Sequence, residues 1–259
     1  MRVLSCLNHN RPDVAEARQA PYTGDVAFRD KLLGTLRALG PVLEEPGVLV
    51  VGSEVPNLLE PGAASTLVVS QDVDLAVPID TVETIKRLLR NVRGLVPSAE
   101  EPSVYLPTWP ALIEANFLGL DPRIREASET YVLEDAELPL MVFGPLGLLR
   151  PGRIIEVDGL RVPLPRSAGL MVEKLLTDRT DEKGARDLLV VAGILATATA
   201  TDLDEMVSMT CSLSQESRHA VRSALTVLSL MEARPGMPNP APFRGQLTRL
   251  LARIEVSGE

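Results

Sequence analysis

"STLVVSQDVDLAVP", Ser65 to Pro78, places two aspartates inside a run of apolar and β-branched residues. A run of that kind, bounded by polar residues and Pro, reads as a buried strand. Side chains two apart on a strand share a face, so Asp72 and Asp74 project together while Gln71, Val73 and Leu75 project the other way. Isolated carboxylates are costly to bury. Side by side they also repel, which raises the pKa of one unless a cation stands between them. A hard divalent ion supplies that cation; Mg²⁺ takes one or two carboxylates and completes its shell with phosphate oxygens and water. Taken alone, the pair reads more readily as the polar end of an exposed strand or a turn cap.

Two other stretches bear on the choice. Upstream, "GVLVVGSE" is a short β-branched run that meets Gly52 and Ser53. A strand, a Gly-Ser turn and a following helix present backbone N–H groups and a hydroxyl in an arrangement that suits a phosphate, although Gly-Ser by itself is an ordinary turn. Downstream, "PALIEANFLG" carries Glu114 inside another apolar strand. Glu114 and Asn116 share one face there, and Ile113, Ala115 and Phe117 the other. A lone Glu in a strand usually lies on the solvated face. Beside an Asp pair it can be a third carboxylate, as a base for an attacking hydroxyl or a second metal ligand.

Around these strands the chain reads as an α/β half followed by a helical half. A helix is expected in "VAFRDKLLGTLRALG", ended by Gly40 and Pro41, and one or two helical turns in "VPNLLE". "DTVETIKRLLRNV" starts with Asp80 and, three residues on, Glu83, the pattern of a capping box, and Val82, Ile85, Leu88, Leu89 and Val92 fall on one helical face. "SVYLP", "YVLED", "LPLMVFG", "RIIEVDG" and "LRVPLP" are strand-like pieces, and "EVDGLRVP" predicts a hairpin. After Pro165 five segments follow with helical periodicity. The expected division is an irregular segment 1–24, a catalytic-type α/β domain 25–165 and a helical domain 166–259.

Gly52-Ser53, then Asp72-Val73-Asp74, then Glu114 resembles the nucleotidyltransferase (DNA polymerase β-like) superfamily, in which a Gly-Ser or Gly-Gly turn precedes Asp-hydrophobic-Asp and a third acidic residue on a later strand. "SQDVDLAV" looks like the form in minimal nucleotidyltransferases of bacteria and in AbiEii-type toxins. "LMVEKLLTDRTDEKGARDLLVV" is similar to the helical region of those toxins, with Lys174 matching its first Lys, and Lys183, Arg186 and Asp187 matching part of a "K-D-x-x-D-L" element. The likeness spans about residues 30 to 195. Two features depart from the pattern: an insertion around "EPGAAS" lengthens the gap before Asp72, and Gly184 stands where the element has Asp.

The resemblance implies an α+β fold, a mixed β-sheet flanked by helices and followed by a helical C-terminal domain. It implies a Mg²⁺- or Mn²⁺-dependent transfer of a nucleoside monophosphate from an NTP to an acceptor hydroxyl. Asp72, Asp74 and Glu114 would be the metal ligands, with Lys174 beside them as a catalytic residue, and Gly52, Ser53, Lys183 and Asp187 would bind the nucleotide. RNA, tRNA in particular, is the implied acceptor, and a cognate antitoxin the implied partner in a toxin–antitoxin pair. Two alternatives stand beside this: a catalytically silent protein of the same fold that binds a nucleotide or a partner, and an enzyme acting on a small antibiotic-like molecule. Lys174, followed by Leu175 and Leu176, also fits an amphipathic helix, and "DEKGARD" a solvated charged stretch.

Composition narrows the remaining classes. The chain has 259 residues and a net charge of −9, which argues against a general nucleic-acid coat protein but leaves room for a local basic patch. Its cysteines, Cys6 and Cys211, lie in no disulfide or zinc spacing, and a reduced, cytoplasmic setting is expected. "MRVLSCLNHNRPD" is too polar for a signal peptide, and "LPLMVFGPLGLL" too short and interrupted to span a bilayer. His9 and His219 are isolated, so no Ser-His-Asp or Cys-His arrangement is suggested.

Overall fold

The aspartate-bearing stretch forms β2 (Asp72–Pro78), and the sheet is laid out around it. The computed structural model describes residues 24–59, 72–124, 126, 128–177, 181–232 and 239–256, with the side chains of 24–27 and 181–183 left aside. Residues 1–23 of the irregular segment expected over 1–24, the inserted "EPGAAS", the run 65–71, Cys6, His9 and the Lys183 side chain lie outside the described residues, while residue 24 already belongs to a helix.

β1 (Leu49–Val51) runs antiparallel along one edge of β2, and β5 (Glu114–Leu120) runs parallel along the other. The far edge of β5 is shared. Its first half pairs antiparallel with β4 (Val104–Pro107), which in turn pairs with β3 (Leu95–Pro97). Its second half pairs parallel with β7 (Leu140–Val142), which pairs antiparallel with β6 (Tyr131–Leu133). Among the described residues this makes a mixed seven-stranded sheet. The fold is α+β, as expected.

One face of the sheet is core. Val73, Leu75, Val77, Ala115 and Phe117 are buried there, and the Phe117 ring meets Tyr105 edge-on at 5.2 Å between centroids. α1 (Gly24–Ala38) is pinned to the head of β5 through Thr35, whose hydroxyl accepts the Ile113 N–H at 2.8 Å and donates to the Ile113 carbonyl at 3.3 Å. α2 (Gly40–Leu43) adds one turn beyond the Gly40-Pro41 stop, because Pro is tolerated in a first helical turn. α4 (Val82–Leu89) buries Val82, Ile85 and Leu89, and its Lys86 pairs with Asp135 at 2.8 Å.

The capping box expected at Asp80 and Glu83 does not form. The chain leaves β2 through a 3-10 turn, Ile79–Thr81, in which the Thr81 hydroxyl donates to the Pro78 carbonyl at 2.9 Å. The helix therefore starts too late for Asp80 to cap it, and Glu83 pairs with Lys86 at 2.7 Å instead.

β8 (Pro151–Val157) and β9 (Leu160–Pro165) form the expected hairpin. Its two-residue turn, Asp158-Gly159, has φ of +50° and +74°, the doubly left-handed turn that matches strand twist. The helical half consists of α5 (Ser167–Leu176), α6 (Asp181–Leu195), α7 (Ala200–Ser212), α8 (Gln215–Leu230) and α9 (Arg244–Val256). α5 lies at its centre, against α6, α7 and α8. Every α5 residue from Ala168 to Leu176 is buried, Glu173 and Lys174 included, so α5 is enclosed on all sides rather than amphipathic. One hydrophobic core runs from Leu32 to Ile254, so position 165 marks a change of secondary structure within continuous packing. Among the described residues no helix is long and apolar enough to cross a membrane.

Candidate active site

Strand register builds the site. In the parallel pair β2/β5, Asp72 stands opposite Glu114 and Asp74 opposite Asn116, which puts four polar side chains on the face away from Phe117. Asn116 reaches both aspartates. Its Nδ2 donates to Asp72 Oδ2 at 2.9 Å and to Asp74 Oδ1 at 3.1 Å. Its own Oδ1 is buried and has no hydrogen-bond partner among the described residues.

β1 brings the turn to the same place. Val51 stands opposite Asp74, so the next residue, Gly52, enters a 3-10 turn (Gly52–Glu54) directly beside that carboxylate. Gly52 has φ +87°, and a Cβ there would lie 2.5 Å from Asp74 Oδ2. Only glycine combines that backbone with that clearance. Ser53 is half-buried within the turn, and α3 (Val55–Leu59) follows it.

Burial and neighbouring carboxylates shift Asp74, Glu54 and Glu114 upward. Burial, then the neighbouring Asp72, pushes Asp74 to about 6; the Asn116 amide and Lys174 act the other way. Glu54, only 1% exposed, is pushed to about 7 by burial, against the pull of Asn57 and with the push of Asp72 and Asp74. Asn57 Nδ2 donates to Glu54 Oε2 at 2.9 Å, while Glu54 Oε1 is buried with no hydrogen-bond partner among the described residues. Glu114 is half-buried and also shifted up, by burial and then by Asp72 and Glu101.

The opposite charge comes from α5. Lys174, 6% exposed, has its Nζ 3.3 Å from Glu173 Oε2 and 3.8 Å from Asp187 Oδ1. Glu173 Oε1 accepts the Thr177 hydroxyl at 3.2 Å. Gly52, Asp74 and Lys174 line one cleft of about 990 Å³, whose further walls include Leu118 and Phe143 on the sheet side and Ala224 on α8.

The residues expected from the sequence are thus largely gathered. Gly52, Asp74 and Lys174 share the cleft, Asp72 and Glu114 continue the same sheet face, and Asp187 joins through Lys174. Lys183 belongs to α6, with its side chain outside the described residues. The expected trio of metal-binding acids does not converge. Among the described residues, no three Asp, Glu, His or Cys side chains are placed to hold one metal ion. The reason lies in register: Glu114 flanks Asp72, while Asn116, two residues along β5, is the side chain that reaches both aspartates. The donors that meet are two carboxylates and an amide, a set that suits a hard ion keeping water and phosphate in its shell.

Three residues of the site have no assigned role in the sequence reading: Glu54, Asn116 and Glu173. Glu54 and Glu173 could have been found as charges enclosed by apolar runs, in "VVGSEVPNLL" and "GLMVEKLL". Asn116 carries no such signal, because a polar residue on the outward phase of a strand is ordinary.

No family model matches the chain, and no curated protein matches it. Two solved structures are similar in fold. An antigenic nucleotidyltransferase-like protein from Paracoccidioides brasiliensis is 14% identical with a TM-score of 0.46, covering 89% of this chain and 94% of that one. A provisionally assigned nucleotidyltransferase from H. pylori is 11% identical with a TM-score of 0.33, covering 92% of this chain and 96% of that one.

Proposed function

We propose that this chain is a Mg²⁺- or Mn²⁺-dependent nucleotidyltransferase that moves a nucleoside monophosphate from an NTP to an acceptor hydroxyl. One observation carries the reading: two adjacent carboxylates, Asp72 and Asp74, are held together on a sheet face, with a left-handed glycine turn against Asp74 at the wall of a roughly nucleotide-sized cleft of about 990 Å³.

Asp72 and Asp74 would hold the ion, which when bound would supply positive charge to offset that of the triphosphate. Gly52 leaves room for Asp74 to lie against the turn, and the backbone of that turn and the Ser53 hydroxyl would donate to a phosphate oxygen. Lys174 supplies positive charge behind Asp74. Glu114, shifted upward beside Asp72, takes the proton of the acceptor hydroxyl. The acceptor oxygen attacks the α-phosphorus in line, the bond to the bridging oxygen breaks, and pyrophosphate leaves. Asp187 anchors Lys174, and Lys183 is kept as a nucleotide contact on the sequence pattern alone. RNA, tRNA in particular, and an antitoxin remain the acceptor and partner that the resemblance implies.

The test is incubation with Mg²⁺, each labelled NTP and, separately, total RNA, total protein and small hydroxylated acceptors. Asp72→Asn should reduce labelling by more than about 100-fold, since changes outside the ligand shell alone cost about 10–100-fold, with an unchanged circular dichroism spectrum. Wild-type labelling by that variant would refute the assignment.

A further inference from the structure

We propose that Asn116 is the third protein donor for the divalent ion, through its side-chain oxygen, in place of the acidic residue expected at Glu114. The inference rests on the metal-dependent reading above and specifies its donor set.

Three features of the structure meet at this residue. First, Asn116 stands opposite Asp74 across the parallel pair, and its Nδ2 lies within hydrogen-bond reach of Asp72 Oδ2 and Asp74 Oδ1, at 2.9 and 3.1 Å. A group that donates to both carboxylates at once occupies the place between them where a cation would be attracted. Second, Asn116 Oδ1 is buried and has no hydrogen-bond partner among the described residues. A buried amide oxygen without a partner carries a desolvation cost and calls for an explanation. Third, no three acidic, imidazole or thiolate groups among the described residues are placed for a metal, although two aspartates already are adjacent. A neutral amide oxygen is a normal ligand for a hard cation, and it completes a set that acids alone do not.

A rotation of about 180° about the Cβ–Cγ axis joins the two states, because the amide presents oxygen and nitrogen at nearly equivalent positions. With no ion, Nδ2 points between the aspartates and relieves their repulsion. With an ion between them, the amide turns, Oδ1 becomes a ligand, and Nδ2 leaves the carboxylates. No bond is made or broken within the chain, and no proton moves. Asn116 thus serves as a stand-in for the cation when it is absent and as its ligand when it is present.

The experiment measures Mn²⁺ alone, by electron paramagnetic resonance of the free ion, against wild type, Asn116→Ala, Asn116→Asp and Glu114→Gln, with circular dichroism to verify folding. Asn116→Ala should weaken Mn²⁺ binding by more than about 100-fold, beyond the cost of an outer-shell change, and Glu114→Gln should leave it within about twofold. Asn116→Asp distinguishes a ligand from a spacer. As a ligand position it retains an oxygen donor and gains charge, so Mn²⁺ should bind at least as tightly as to wild type while the ion-free protein melts lower. If Asn116 served only as a hydrogen-bond donor, the acidic variant would lose stability and gain nothing from Mn²⁺. Wild-type affinity in Asn116→Ala, or a large loss in Glu114→Gln alone, would overturn the assignment and leave the metal-dependent reading standing. No Mn²⁺ binding by the wild-type protein would overturn both.

Discussion

Gly52→Ala is the sharpest perturbation the site offers. Two costs can be worked from the geometry. The backbone at φ +87° is left-handed, which costs a residue with a Cβ about 1–2 kcal/mol. The new Cβ would also lie 2.5 Å from Asp74 Oδ2, against an ordinary carbon–oxygen approach of about 3.4 Å. The carboxylate must therefore move by roughly 0.9 Å or the turn must shift away from it. Asp74 is tied to Asn116 and sits in the sheet interior, so the shift disturbs both carboxylates. Together the two costs amount to about 1–3 kcal/mol, a fall in Tm of roughly 2–12 °C for a chain of this size. The functional loss should be larger, because a displacement near 1 Å costs about 100-fold in rate. Scanning calorimetry gives the first number, and labelled-nucleotide transfer with Mn²⁺ titration gives the second. A Gly52→Ala protein with wild-type Tm, Mn²⁺ affinity and transfer rate would refute the reasoning, because the steric contact with Asp74 would then have no consequence.

Two further perturbations bear on the buried charges. Asp74 and Glu54 have folded values near 6 and 7, above their unfolded values, so the folded state binds more protons between about pH 4 and 7. Each contributes stability of about 3 kcal/mol that is fully present below about pH 4 and lost as pH rises through 6 to 7, and the two are coupled rather than additive. Asp74→Asn should therefore raise the Tm of the ion-free protein at pH 7.5 relative to wild type and have little effect at pH 4; a variant less stable at pH 7.5 would contradict the sign. Lys174→Met removes the cation from a buried cluster with Glu173 and Asp187 and should cost about 3–5 kcal/mol in urea unfolding. A change below about 0.5 kcal/mol would show that the pairs contribute nothing.

The carboxylate face was legible because strand periodicity is rigid. Once "DVDLAV" and "EANFLG" are strands, Asp72 must share a side with Asp74, and Glu114 with Asn116. The Asp158-Gly159 turn was legible for a similar reason, since few residues accept two left-handed positions in succession. What was not legible depends on which strands meet and in what register. The sequence does not say that β5 pairs with β2 such that Asn116, and not Glu114, lies opposite Asp74. Nor does it say that α5 is enclosed on all sides. "LMVEKLL" has the composition of an amphipathic helix with a charged rim, and only the packing of α6, α7 and α8 around it buries Glu173 and Lys174. The start of α4 departs from its local capping pattern because the chain leaves β2 through a 3-10 turn that outweighs it.

Burial of α5 also bears on what the helical half is for. A module merely appended to the sheet would keep its charged residues in water, where they cost nothing. Here Lys174 sits at 6% exposure and lines the same cleft as Asp74, and its charge acts on that carboxylate. Charges so enclosed are tolerated only when paired, and replacing them with apolar residues would often be neutral or stabilising. At Asp74 two members of the cluster act in opposite directions, Lys174 holding its pKa down and Glu173 pushing it up. The core is continuous across residue 165, and separating the helices from the sheet would divide it and remove one wall of the cleft. The helical half is thus a structural component of the site, and the carboxylates of β2 cannot be understood from the sheet alone.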